Sequence, residues 1–237
     1  MQYPTLEQLL QAGVHFGHVS SRWNPKMKPF IFATQNKIHV INLEKTLESL
    51  GRALDFVKSQ AAGGGTILFV GTKRQAKEEV KKAALSCGMP YATVRWLGGT
   101  FTNFKTIQKT IRKLDKLQKL RASPDFEEKY TKKERLLLER EIEKLSNLFS
   151  GIKNLKKLPE AIFVVDVNHD EIAVSEARAM GIKVVGLVDT NSDPELVDYP
   201  IPSNDDAIKA ISLMSELVAQ AVNEGRGEQK NDQRQGS

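Results

Sequence analysis

Apolar positions along the chain fall into two rhythms. Leu43, Leu47, Leu50, Leu54, Val57 and Ala61 recur at steps of three or four, the spacing of one helix face, and Gly63 to Gly65 stop the run. Ile67 to Val70, Tyr91 to Val94, Ala161 to Val165 and Val184 to Val188 are short and almost continuously apolar, which predicts strands covered on both sides. Further helical patterns separate and follow them. These are residues 73–87, with Ala76, Val80, Ala83, Ala84 and Cys87 on one side and Gly88 at the end; Asp170 to Met180, ended by Gly181; and a last helix from Asn204 as cap to about Val222. Strand and helix in alternation predict parallel βαβ units. The expected fold class is α/β: a doubly wound, mainly parallel sheet in a three-layer sandwich of the Rossmann-like or flavodoxin-like kind.

Two regions depart from this alternation. Near the start, Thr5 caps a short helix to Ala12, with Gln8 three residues on, Leu6, Leu9 and Leu10 as its apolar side and Gly13 as its stop. Residues 14–37 show no period, contain Pro25 and Pro29, and read as a loop, while Ile38 to Leu43 alternates enough to predict a strand. Farther on, Ile107, Ile111, Leu114 and Leu117 repeat at helical spacing, as do Leu138, Ile142, Leu145 and Phe149, with Ser123-Pro124-Asp125 between them. That predicts two long helices forming an antiparallel hairpin that protrudes from the sandwich. Gly225 to Ser237 holds no apolar residue and predicts a disordered tail. The expected division is therefore residues 1–102 with 159–224 as the α/β unit and its N-terminal extension, 103–158 as the hairpin, and 225–237 as the tail.

Charge adds a direction to this frame. The 237 residues carry a formal +6. Residues 1–100 hold 13 basic and 6 acidic side chains and residues 101–160 hold 16 and 9, whereas residues 161–237 hold 6 and 14. A split this large predicts a polyanion on one side and a different partner on the other. The single cysteine, Cys87, excludes a disulfide framework and Cys-pair zinc or redox motifs. No apolar run of about 18 residues predicts a membrane span, and no basic stretch leading into an apolar one predicts a signal peptide; a soluble, cytoplasmic protein without a membrane partner is expected.

Candidate chemistry is sparse. Val70-Gly71-Thr72-Lys73-Arg74-Gln75-Ala76 follows a strand and opens a helix, where free N–H groups and two cations can hold a phosphate. The chain has no Gly-Lys dipeptide, hence no Walker loop, and no G-x-G-x-x-G, so no nucleotide cofactor is expected. There is no G-x-S-x-G elbow, and Cys87 falls on an apolar helix face. His15, His18, His39 and His169 form no zinc-enzyme spacing. Asp166 and Asp189 each follow a strand in a repeated Val-Asp-x-Asn pattern, at the edge where such folds bind ligands, though Asp and Asn also simply build turns and caps there. A metal held by His18, Asp189, Asp205 and Asp206 requires the N-terminal loop to reach that edge. No catalytic constellation emerges, and a nucleotide- or phosphate-binding enzyme acting at the Asp166 and Asp189 edge is the alternative reading.

Basic residues interleaved with aromatics say more. Arg22-Trp23-Asn24-Pro25-Lys26-Met27-Lys28-Pro29-Phe30 and Arg95-Trp96-Leu97-Gly98-Gly99-Thr100-Phe101 suit RNA, because cations neutralise phosphates and flat rings stack on splayed bases. The same rings can equally anchor the loops to the core. The second stretch leads directly into the basic hairpin.

These residues also carry a resemblance. Ala12-Gly13-Val14-His15-Phe16-Gly17-His18, the Arg22 to Pro29 stretch, Ile67 to Arg74, Arg95 to Gly99, Val188-Asp189-Thr190-Asn191, Pro200-Ile201-Pro202 and Asn204 to Ile208 are similar, in the same order, to the bacterial small-subunit ribosomal protein S-two family over residues 5 to about 222. Ser150 and Ser203 stand where that family's pattern has glycine. The resemblance implies a non-enzymatic, ribosome-bound component of translation. It would bind small-subunit ribosomal RNA, contact other small-subunit proteins and help seat ribosomal protein S-one. Charge and placement then assign RNA contact to Arg22, Trp23, Lys26 and Lys28 in the first loop, Lys73 and Arg74 at the helix start, Arg95 and Trp96, and Lys105, Lys109, Arg112 and Lys113 on the hairpin.

Overall fold

In the computed structural model, which describes residues 3–235 and side chains as far as residue 228, Thr5 caps α1 (Leu6–Gln11) through reciprocal bonds with Gln8. Of its three leucines only Leu9 is buried; Leu6 and Leu10 face outward. The following region is not the uniform loop that its composition predicts. It contains β1 (Phe16–Val19) and β2 (Ile31–Gln35), which flank β3 (Ile38–Ile41) in an antiparallel sheet of order β1-β3-β2. β2 and β3 are joined by Asn36 and Lys37, both left-handed at φ 49° and 66°, the two-residue hairpin geometry that needs positive φ at both positions. Strands this short, with mixed burial, leave too few alternations to register against the prolines and charge around them.

The helix α2 (Leu43–Ala62) starts from Asn42, whose side chain accepts from the N–H groups of Glu44 and Lys45. Then come β4 (Ile67–Val70), α3 (Lys77–Ser86), β5 (Tyr91–Ala92), α4 (Phe104–Arg121), the short α5 (Phe126–Lys129), α6 (Lys132–Phe149), β6 (Ala161–Val164), α7 (Glu171–Ala179), β7 (Lys183–Val188), β8 (Tyr199–Pro202) and α8 (Ile208–Gln235). The five later strands form one parallel sheet in the order β5-β4-β6-β7-β8. The chain leaves β4 toward β5 and returns to β6, so the topological switch point lies between β4 and β6. β8 escapes the apolar pattern because Pro200 and Pro202 argue against a strand; it lies at the sheet edge, where missing N–H donors are tolerated.

Alternate residues of each strand face opposite layers. Ile67, Phe69 and Phe163 join Leu50, Leu54, Met214 and Val218 in the core under α2, α3 and α8. Leu68, Val70, Ile162 and Val164 join Val174 of α7 with Ile107, Ile111, Leu114, Ile142 and Phe149 of α4 and α6. The two long helices thus root in the second layer and lie against one another, with Gln118 Nε2 donating to Ser146 Oγ at 3.2 Å.

Two boundaries differ from the sequence reading. α3 begins about four residues late, because residues 73–76 form a tight turn at the carboxyl edge, and α8 begins at Ile208, just after Asn204, whose Oδ1 accepts from the N–H groups of Asp206 and Ala207. α8 runs past the expected end near Val222, as helix to Gln235, and residues 236 and 237 of the expected tail lie outside the described residues. Arg226 donates to the Cys87 carbonyl and Lys58 pairs with Glu228, so polar side chains hold the helix where apolar ones run out.

Candidate nucleic-acid interface

The carboxyl edge of the parallel sheet is filled from within. Lys73, in the turn after β4, places Nζ 2.9 Å from Asp166 Oδ2, 2.7 Å from Asp205 Oδ1 and 2.6 Å from Asp206 Oδ1. Burial alone lowers a lysine pKa, but the surrounding carboxylates outweigh it and hold this ammonium charged. Asp205 is fully buried; burial, with Asp189 and Asp166 nearby, pushes its carboxyl up to about 8 despite Lys73. Asp170 accepts from the N–H and hydroxyl of Thr72 at 3.0 and 2.7 Å. The repeated aspartates therefore close turns and bind Lys73 at the place where this topology takes its ligand.

The N-terminal extension does reach this edge. Gly17 of β1 lies so close to Thr190 that an added Cβ would stand 2.6 Å from its Cγ2, and the His18 N–H donates to Thr190 Oγ1 at 2.8 Å. His18 Nδ1 is 3.1 Å from Asp189 and Nε2 is 3.4 Å from Asp206; the hydrogen bond with Asp189 raises the imidazole pKa against the pull of burial. One ligand atom each from His18, Asp189 and Asp205 lies within 4.8 Å of the others, and Asp205 Oδ2 is buried without a hydrogen-bond partner. One imidazole with hard carboxylate oxygens is a donor set that can hold a divalent cation. Asp206 approaches from the other imidazole nitrogen.

The structure redistributes the cations singled out as RNA contacts. Lys73 is spent on carboxylates. Trp96 is buried at 7% exposure, edge-on to Phe101 at 4.9 Å, with its indole N–H on Glu176 Oε1, so its ring is not available to stack on a base. Residue type suggested RNA contact for both, and the fold gives each an internal partner. Lys26 bridges to Asp193 at 2.8 Å and Glu195 at 2.5 Å, pinning the first loop onto the β7–β8 connection. Trp23 is half-buried against the His39 ring, and Lys113 pairs with Glu141 at 2.5 Å. Arg22, Lys28, Arg74, Arg95, Lys105, Lys109 and Arg112 are exposed and have no carboxylate partner among the described residues.

Sequence reasoning missed Glu176. This residue of α7 is 8% exposed and accepts from the N–H groups of Gly99, Phe101 and Thr102, the Thr102 hydroxyl and the Trp96 indole, at 2.7–3.2 Å. Burial raises its pKa, but the converging donors outweigh burial and leave it below the ordinary value. One carboxylate thus organises the whole turn that delivers the chain from β5 into α4. The two adjacent glycines were visible; the acid they fold around lies 77 residues away.

Sequence reasoning also stopped short along α4. Lys105, Lys109, Arg112, Lys116 and Lys119 step by four, three, four and three residues, all exposed and none paired among the described residues. They form one straight stripe about 21 Å long at the helical rise, diametrically opposite buried Ile107, Ile111 and Leu114. The signal for the last two was present in the spacing itself.

The carboxyl edge is thus closed by its own lysine, and the cations along α4 have no carboxylate partner among the described residues. In comparison with known families, the family described as Ribosomal protein S2 matches residues 9–225, from α1 into α8. The chain belongs to the ribosomal protein S2 family, and is a structural component of the small ribosomal subunit rather than an enzyme.

Proposed function

We propose that the chain binds small-subunit ribosomal RNA by neutralising phosphates with a preformed cation surface, reading little base sequence. The observation that carries this is the α4 stripe, whose five cations have no carboxylate partner among the described residues. Arg22, Lys28, Arg74 and Arg95 add to it from loops, with Lys26 and Lys113 contributing while shared with acids. Trp23 is at most half-available for stacking. Residues 103–158 act in this reading as a protruding hairpin carried by the α/β unit of residues 1–102 and 159–224. The acidic last third then faces neighbouring ribosomal proteins, S-one among them, in the cytoplasm; the family resemblance supports that part. The earlier alternative, an enzyme using the Asp166 and Asp189 edge, is overturned by the family.

The test is subunit incorporation. Lys105→Glu, Lys109→Glu and Arg112→Glu together should leave the far-ultraviolet spectrum and unfolding midpoint near wild type, since all three are exposed, while abolishing most co-sedimentation with small subunits in moderate salt. Undiminished co-sedimentation of the triple variant contradicts the reading.

A further inference from the structure

The amino-terminal edge of the sheet, opposite the closed carboxyl edge, carries an open cleft of about 480 Å³. Its lining includes Thr66, just before β4, Pro90, just before β5, and Ser150, Gly151 and residues 154–157. Leu85 (60% exposed), Met89, Pro90 and Leu155 give it apolar surface, and Asn154, Lys156, Lys157 and Arg226 give it polar and cationic groups. No acidic residue lines it.

We propose that this cleft seats an unpaired nucleotide of the small-subunit ribosomal RNA, its base against Leu85, Met89 and Pro90 and its phosphate toward Lys156 and Arg226. The proposal rests on the RNA-binding reading and extends it to a surface outside the stripe. Three features select this occupant. Arg226 is already oriented: Nη1 donates to the Cys87 carbonyl at 2.5 Å and Nη2 lies 3.6 Å from Met89 Sδ, which leaves further guanidinium N–H groups for a phosphate. Lys156 has no carboxylate partner among the described residues, whereas neighbouring Lys157 is taken by Glu160 at 2.6 Å. The cleft also adjoins α4, because Gln108, between Lys105 and Lys109 in the sequence, donates Nε2 to the Lys156 carbonyl at 2.7 Å. A slot lined by both apolar and cationic groups accepts a splayed base with its phosphate but excludes a paired one, whose face is already stacked.

The test uses the full chain and small-subunit ribosomal RNA transcribed with 4-thiouridine. Photocrosslinks should map to the peptides of residues 85–91 and 150–157 as well as to α4. Ser150→Trp, an exposed position that plugs the cleft without altering charge, should remove the cleft crosslinks. Lys156→Glu should weaken binding roughly fivefold and lower the salt slope by about one. Crosslinks confined to α4, with Ser150→Trp binding as wild type, overturn the cleft proposal and leave the stripe standing. Undiminished RNA binding by the stripe variant, with the cleft crosslinks retained, would count against the stripe and support the cleft. A free mononucleotide that protects the cleft peptides where RNA does not would assign the site to a small ligand and overturn the proposal.

Discussion

A carboxylate buried among backbone donors behaves differently from one buried among other carboxylates, and this protein contains both. Glu176 gains from being charged, so its folded pKa lies below the ordinary 4.5; its contribution to stability is present above that value and is lost as pH falls through the lower folded one. Asp205, pushed up to about 8, has the opposite sign, and its contribution fades as pH rises toward that value. Glu176→Gln should therefore cost about 1.5–3 kcal/mol at pH 7, the worth of hydrogen bonds to a charged group. In urea titrations the gap from wild type should narrow steadily below about pH 4.5; a gap independent of pH would show that the charge does not matter. The sequence displayed Lys73 and Trp96 as plausible nucleic-acid contacts because it shows residue types and spacing. It does not show which distant acids will arrive beside them, and Asp205 and Glu176 lie 132 and 80 positions away.

At the scale of elements, α8 offers the sharpest check. It crosses α2 where Gly225 lets the two backbones meet: an added Cβ would strike the Lys58 carbonyl and stand 3.0 Å from Ala61 Cβ. Backbone atoms cannot swing aside as side chains do, so Gly225→Ala should destabilise by roughly 1–3 kcal/mol. An unchanged thermal midpoint would mean that the helix does not dock there. The buried strands and α2 were legible because long or uniformly apolar runs leave one solution. β1 and β2 were not, since four- or five-residue strands depend on pairing with β3 more than on their own pattern. The continuation of α8 beyond residue 224 was hidden for a related reason: its contacts are a glycine, an arginine and a glutamate rather than an apolar stripe.

For the whole molecule, the charge split visible in the sequence survives folding only in part. Lys73, Lys26 and Lys113 are drawn into ion pairs, while the α4 stripe stays open to solvent. The scaffold thus stabilises itself with some of its lysines and presents others. The direct measurement is the affinity of the full chain for small-subunit ribosomal RNA as a function of salt. Five phosphates neutralised along α4 predict a slope of log K against log salt of roughly −3.5 to −4.5, and one much shallower for the Lys105, Lys109 and Arg112 reversal. A slope near zero, or one that the reversal leaves unchanged, would contradict the account.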